Sequence, residues 1–169
     1  SVPAGCRGRT GSRLPQMSLE DLLMEREIER LIAKYCHFID HGEAARAVDL
    51  FTEDAVWDWR HGNIILTGHA GLLKGFTHRQ KNARRISRHI SYNSLIERTG
   101  SDTATGVVYF TLYRHDGEEG RSFSPLDEAE VMIGEYRDIY HKTQEGWRIH
   151  RRDIAVSFAR GYGVAEPQS

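Results

Sequence analysis

Histidine is the side chain best suited to take and return a proton near neutral pH, and this 169-residue sequence carries nine of them beside only two cysteines. One histidine lies on a candidate strand. Alternation along Arg88–Ile96 puts His89, Ser91, Asn93 and Leu95 on one face and Ile90, Tyr92, Ser94 and Ile96 on the other. If the apolar face meets helices in a flat sheet, the polar face is merely solvated. If the sheet curls, His89 and Asn93 project into a cavity, a proton acceptor and an amide mounted on a rigid element.

A second candidate group closes the first helix: Tyr35, His37, Asp40 and His41. Tyr35 continues an apolar stripe, so its ring is expected inside with a hydroxyl that needs a partner. Asp40 follows five residues later, roughly 140° away around the helix. The two converge only if Asp40 sits at or beyond the helix end, as Gly42 suggests; otherwise Tyr35 is a core residue with a polar tip and Asp40 a turn former. His37 and His41, at i and i+4, have metal-ligand spacing but no accompanying acidic motif, which leaves solvent exposure as the expectation. Trp57 and Trp59 alternate along one strand and line one wall, whether of a pocket or of a core. Lys74, His78, Arg79, Lys81, Arg84, Arg85 and Arg88 form a basic stretch whose spacing scatters it around a helix, so a solvated or subunit-contacting face is expected rather than an anion site. The sequence has no Gly-rich phosphate loop, nucleophile elbow or Cys-x-x-Cys pair, and no metal or cofactor is expected.

The elements that must position these residues follow from periodicity. Ser18-Leu19-Glu20-Asp21 has the form of a capping box. After it Leu22, Leu23, Ile28, Leu31, Ile32, Tyr35, Phe38 and Ile39 recur at steps of three and four down to His41-Gly42. A short helix is predicted over about Glu43 to Phe51, a turn at Thr52-Glu53-Asp54, and a hairpin whose strands, Ala55 to Trp59 and Ile64 to Leu66, flank Arg60-His61-Gly62-Asn63. A third helix is predicted over about His69 to Arg85. Four long strands follow, Ser87 to Arg98, Thr103 to Arg114, Ala129 to Lys142 and Trp147 to Phe158. Helices first and an antiparallel meander last is the α+β order, with helices packed on one face of a sheet.

Composition bounds what such a domain does. Lys plus Arg number 23 against 24 Asp plus Glu, a net charge of −1. That balance argues against nucleic acid or an anionic membrane as partner. No apolar run approaches the roughly 18 residues that cross a bilayer. With Cys6 in a Gly- and Arg-rich leader and Cys36 inside a helix, no disulfide framework is expected, and a cytoplasmic location follows as the expectation. Residues 1–16 read as a tag remnant or disordered extension, 17–160 as the single domain and 161–169 as a tail.

Five segments, Ile28–Asp40, Leu50–Trp57, Gly68–Gly71, Arg88–Asn93 and Gly146–Ile149, together resemble the SnoaL-like branch of the NTF2-like superfamily over about Glu20 to Phe158. The resemblance implies a cone-shaped α+β barrel, a curved antiparallel sheet wrapped around N-terminal helices, with an internal pocket. The branch is similar to scytalone dehydratase, the bile-acid 7α-dehydratases and a hexachlorocyclohexane dehydrochlorinase. In such lyases a sheet histidine is the base, an aspartate at the end of the first helix orients it, and a tyrosine five residues earlier polarises the substrate. Carried over, these roles fall on His89, Asp40 and Tyr35; outside the motif, Asn93 on the His89 strand and the alternating Trp57 and Trp59 are the expected substrate contacts. The dehydrochlorinase-like members also use an arginine late in the sheet. The local sequence His141-Lys142-Thr143-Gln144 does not reproduce it, which speaks against dechlorination.

The implied function is a cofactor-independent lyase (dehydratase) or isomerase acting on a small, cyclic, largely apolar hydroxy-carbonyl compound, as a dimer or trimer. The same fold also implies two alternatives. One is a non-catalytic small (beta) subunit of an aromatic-ring-hydroxylating dioxygenase; the other is a ligand-binding module.

Overall fold

The structure, a computed structural model, describes residues 17–161; Cys6, the proposed extension 1–16 and nearly all of the proposed tail lie outside them. Helix α1 spans Leu19–Asp40, and its N-cap hydroxyl, Ser18 Oγ, accepts the backbone N–H of Asp21 at 3.0 Å. Its buried stripe is Met24, Ile28, Leu31, Ile32, Tyr35, Cys36 and Ile39; Leu22 and Leu23, expected inside, are exposed, so the stripe begins at Met24. Gly42 at φ +77° lets the chain reverse, with the Glu43 N–H donating to Phe38 O at 3.0 Å. Asp40 is therefore the last helical residue, at the point where the backbone turns away.

The short helix expected after Gly42 is a 3-10 helix over Ala44–Leu50, burying Ala44, Ala47, Val48 and Leu50. Strand β1 then runs Phe51–Trp59, so Thr52-Glu53-Asp54 is extended chain and not the expected turn. The hairpin to β2 (Ile64–Thr67) carries Asn63 at φ +53°, as the turn chemistry predicts. Helix α2 spans Gly68–Gln80, shorter than the periodicity predicts. The Asn82 side chain accepts the Arg84 N–H at 3.2 Å and starts an Asx-type turn, which frees Arg85 to open a strand.

Strands β3 (Arg85–Arg98), β4 (Thr103–Asp116), β5 (Glu130–Thr143) and β6 (Gly146–Arg160) form the expected antiparallel meander. The sheet order is β2-β1-β6-β5-β4-β3, with β1 running parallel to β6. The sheet is curved and unclosed, with β2 and β3 as its edges. Its concave face packs on α1 and α2 through Phe110, Met132, Tyr136, Tyr140, Trp147 and Ile149.

Three β-bulges decide which side chains face inward, because one extra residue reverses the alternation of everything beyond it. In β3 the register shifts between Tyr92 and Leu95, with Asn93 at φ +49°. In β6 His150 is the extra residue between the pairs Ile139–Arg151 and Tyr140–Ile149, and Ser157 between Ile133–Phe158 and Gly134–Val156.

Candidate active site

His89 precedes the β3 bulge and faces inward, where the end of α1 meets it. Asp40 Oδ2 accepts the His89 backbone N–H at 2.7 Å, and Asp40 Oδ1 lies 2.6 Å from His89 Nδ1. The carboxylate also accepts from Ser87 Oγ at 2.7 Å, and Ser87 in turn accepts from Arg79 Nη2 at 2.9 Å. An ionised carboxylate is acceptor-only, so Nδ1 carries the proton and Nε2 is left with its lone pair. Both side chains are nearly buried. Burial alone would raise the Asp40 carboxyl, but the hydrogen bonds and charge of His89 and the Ser87 hydroxyl outweigh it and hold Asp40 below the usual carboxylate range. Burial holds the His89 imidazole below the ordinary histidine range, against the pull of Asp40, and the charges of Arg79 and Arg152 add to the lowering. The result is a neutral imidazole with a fixed tautomer.

Tyr35 stands beside it, the ring centroids 6.5 Å apart and edge-on. The phenol is 3% exposed, and its oxygen accepts the Trp57 indole N–H at 3.0 Å, which leaves the hydroxyl proton to be donated. Burial raises its pKa, offset in part by Arg152 and Trp57, so it stays protonated. The Arg152 guanidinium lies 4.4 Å from the Tyr35 centroid and 4.1 Å from that of Tyr136. Asp138 holds it bidentately at 2.9 and 2.6 Å, and Arg152 Nη1 is buried with no hydrogen-bond partner.

Tyr35 and His89 open on a cavity of about 1070 Å³, at the upper end of small-molecule sites. Tyr35, Trp57, Trp59, Phe76, His89, Phe110 and Tyr136 line it. A Cβ on Gly62 would lie 2.3 Å from the Trp59 ring, so only glycine lets that indole fold over the hairpin turn. Asn93 does not join the group: it is exposed at the bulge and lies outside the cavity lining. The His37 and His41 rings stack at 5.6 Å, and among the described residues no group of three or more His, Cys, Asp or Glu is placed to hold a metal ion.

Two features escape a reading by alternation. Trp147 and Ile149 are buried, so strict alternation points Arg151 inward and Arg152 out; the His150 bulge exchanges them. An arginine late in the sheet is thus present beside Tyr35, beyond the segment His141–Gln144 where the resemblance directs attention. The basic stretch is also divided: Lys74, His78, Lys81, Arg84 and Arg88 are exposed, as a solvated face predicts, but Lys74, His78 and Lys81 also line the cavity together with the half-buried Arg79 and Arg85.

Trp57→Phe keeps the ring and removes its N–H from Tyr35. We expect a stability loss of about 0.5–1.5 kcal/mol, the worth of one net hydrogen bond; urea denaturation checks it.

A family model described as the SnoaL-like domain matches residues 20–153. The chain belongs to the SnoaL-like domain family. The SnoaL-like domain also resembles solved structures. One is a candidate scytalone dehydratase from Novosphingobium aromaticivorans, at 21% identity over 87% of this chain and 93% of that one, TM-score 0.74. A second is a type 2 hexachlorocyclohexane dehydrochlorinase (LinA), at 16% identity over 88% and 97%, TM-score 0.68. A third is a candidate aromatic ring hydroxylase from Novosphingobium aromaticivorans, at 25% identity over 87% and 96%, TM-score 0.68. The first two identities establish a shared fold and not a shared reaction. No curated protein matches the sequence. Among the described residues no helix is long and apolar enough to cross a membrane.

Proposed function

We propose that the SnoaL-like domain is a lyase of the dehydratase type, or an isomerase, whose base and hydrogen-bond donor are its own side chains and whose substrate is a cyclic, largely apolar hydroxy-carbonyl compound. The observation that carries it is the 2.6 Å contact of His89 Nδ1 with Asp40, which leaves Nε2 as a neutral acceptor beside the Tyr35 hydroxyl in an apolar cavity.

The chemistry runs as follows. Nε2 takes the proton α to the carbonyl, and the C–H electron pair moves into an enolate whose oxygen accepts the Tyr35 O–H. The positive imidazolium is stabilised by Asp40, which stays ionised. In dehydration the enolate pair forms the C=C bond while the β C–O bond breaks, and the departing hydroxide takes the proton back from Nε2 as water. In isomerisation the same proton returns to another carbon. Arg152, behind the Tyr35 ring, favours negative charge at the phenol oxygen and so strengthens its donor.

Solvent exchange tests this without knowledge of the leaving group. Cyclic hydroxy-ketones are incubated with the protein in D2O and deuterium at the α-carbon is followed by NMR, with loss of water read from enone absorbance. Enzyme-dependent exchange supports the proposal; compounds that bind without exchange or elimination favour the ligand-binding module.

The pH dependence has a definite sign. The active base is neutral His89, whose pKa lies below its ordinary value, so the acid limb of kcat/KM should have its midpoint below about 6.5. Tyr35, raised above about 10, should give no alkaline loss below that pH. A pH–rate profile checks both; an acid midpoint above 6.5 would contradict a buried neutral base.

The likeness to the candidate aromatic ring hydroxylase favours a second reading, the non-catalytic small subunit. A stable homo-oligomer when the chain is expressed alone speaks for the lyase; solubility only beside a second chain speaks for the subunit.

A further inference from the structure

The cavity is apolar in its depth and cationic at its mouth. Lys74, His78 and Lys81 stand at i, i+4 and i+7 from the first, so they share one face at the end of α2, and all three line the cavity. Arg79, Arg85 and Arg114 line it too, while no aspartate or glutamate does. Arg85 is ion-paired with Asp116, Arg114 with Glu130, and Arg79 donates to Ser87, so these three are already engaged in the fold. Lys74 and Lys81 differ: both are exposed, and neither has a carboxylate partner among the described residues. In a chain of net charge −1, a cavity lined by cations and by no acid is a local arrangement, not a reflection of bulk composition.

The chemistry needed at the base does not call for these ammonium groups, since the His89 side chain is only 9% exposed and they are at the surface. We propose that Lys74 and Lys81 bind an anionic group of the substrate at the cavity mouth, so that the ligand is an amphipathic anion: an apolar ring system held against Trp57, Trp59 and Phe76, with a carboxylate, or the phosphates of a carrier tail, projecting toward the end of α2. This deepens the lyase reading and rests on the same cavity, but its test reads binding and not turnover.

The test uses two dyes that share a scaffold, 8-anilinonaphthalene-1-sulfonate and neutral N-phenyl-1-naphthylamine, titrated by fluorescence into the wild type and the Lys74→Gln/Lys81→Gln variant. Two exposed ion pairs predict a loss of roughly five- to tenfold in affinity for the sulfonate, with the neutral dye unchanged within about twofold. About 0.5 M NaCl should erase most of the difference between the two proteins. Equal losses for both dyes, or no loss for either, overturn the proposal. Competition identifies the anion: displacement of the sulfonate dye by 2-naphthoate but not by coenzyme A supports a carboxylate on the ring, and displacement by coenzyme A supports a phosphate-bearing tail. Displacement by neither places the dye outside the cavity and overturns the assignment. Dye selectivity can fail while His89 chemistry stands, and the reverse, so the two readings fall separately.

Discussion

His89→Ala lowers kcat by roughly 10²- to 10⁴-fold, the usual worth of a positioned general base, while the folded domain persists. The second half of that expectation is structural. Asp40 retains the Ser87 hydroxyl and the backbone N–H of residue 89 after the imidazole is gone, so the end of α1 stays pinned to β3. The side chain removed faces a cavity rather than packed core, and the space left behind can fill with water from that cavity. Far-UV circular dichroism and the thermal midpoint should therefore stay close to wild type while α-proton exchange disappears. An unchanged rate in a folded variant would remove His89 from the chemistry and leave the cavity as a binding site.

Asp138→Ala has the largest expected effect on stability. The Asp138 and Arg152 side chains are both 0% exposed, and Asp138 also accepts the Tyr140 hydroxyl at 2.6 Å. Its removal leaves a guanidinium stranded in the core between two aromatic rings, which costs about 3–5 kcal/mol. Against a total of about 5–15 kcal/mol, this lowers Tm by about 6–20 °C for a domain of this size. The double change Asp138→Leu/Arg152→Met removes both charges and should recover most of that loss. It should not recover activity, because Tyr35 no longer has a cation behind its ring. Urea denaturation of the three proteins, read beside their kcat, separates the two contributions; a cost below about 1 kcal/mol for the single variant would show that water reaches the pair.

The fold was legible wherever one short window carried the whole physical signal. The α1 stripe from Ile28 to Ile39, the stop at Gly42, the hairpin turn at Asn63 and the four long strands all follow from local periodicity and from which residues tolerate positive φ. Boundaries failed where a contact outside the window competed. Thr52–Asp54 has turn composition, yet the parallel pairing of Phe51 and of Val56–Asp58 with β6 on either side of it holds the segment extended as an irregular stretch of β1. Tyr35, Asp40 and His89 were reachable because each occupies a motif position in a familiar arrangement, not because spacing requires them to meet. Asp40 and His89 are 49 residues apart, and helical geometry sets Tyr35 and Asp40 on different faces.

By itself, then, the sequence determined the secondary-structure order, the α+β class, a buried tyrosine on the first helix and the neutral overall charge. Only the tertiary structure decided which strand residues look inward. Alternation is a property of one strand, whereas a bulge depends on how two strands pair, so the insertions at Asn93 and His150 turn Asn93 out of the cavity and Arg152 into the core against the Tyr35 ring. The same holds for charge. Composition sums to nearly zero, but the packing of α2 against the curved sheet gathers cations along one cavity and leaves the acids elsewhere, and electrostatic energy depends on separation rather than on totals.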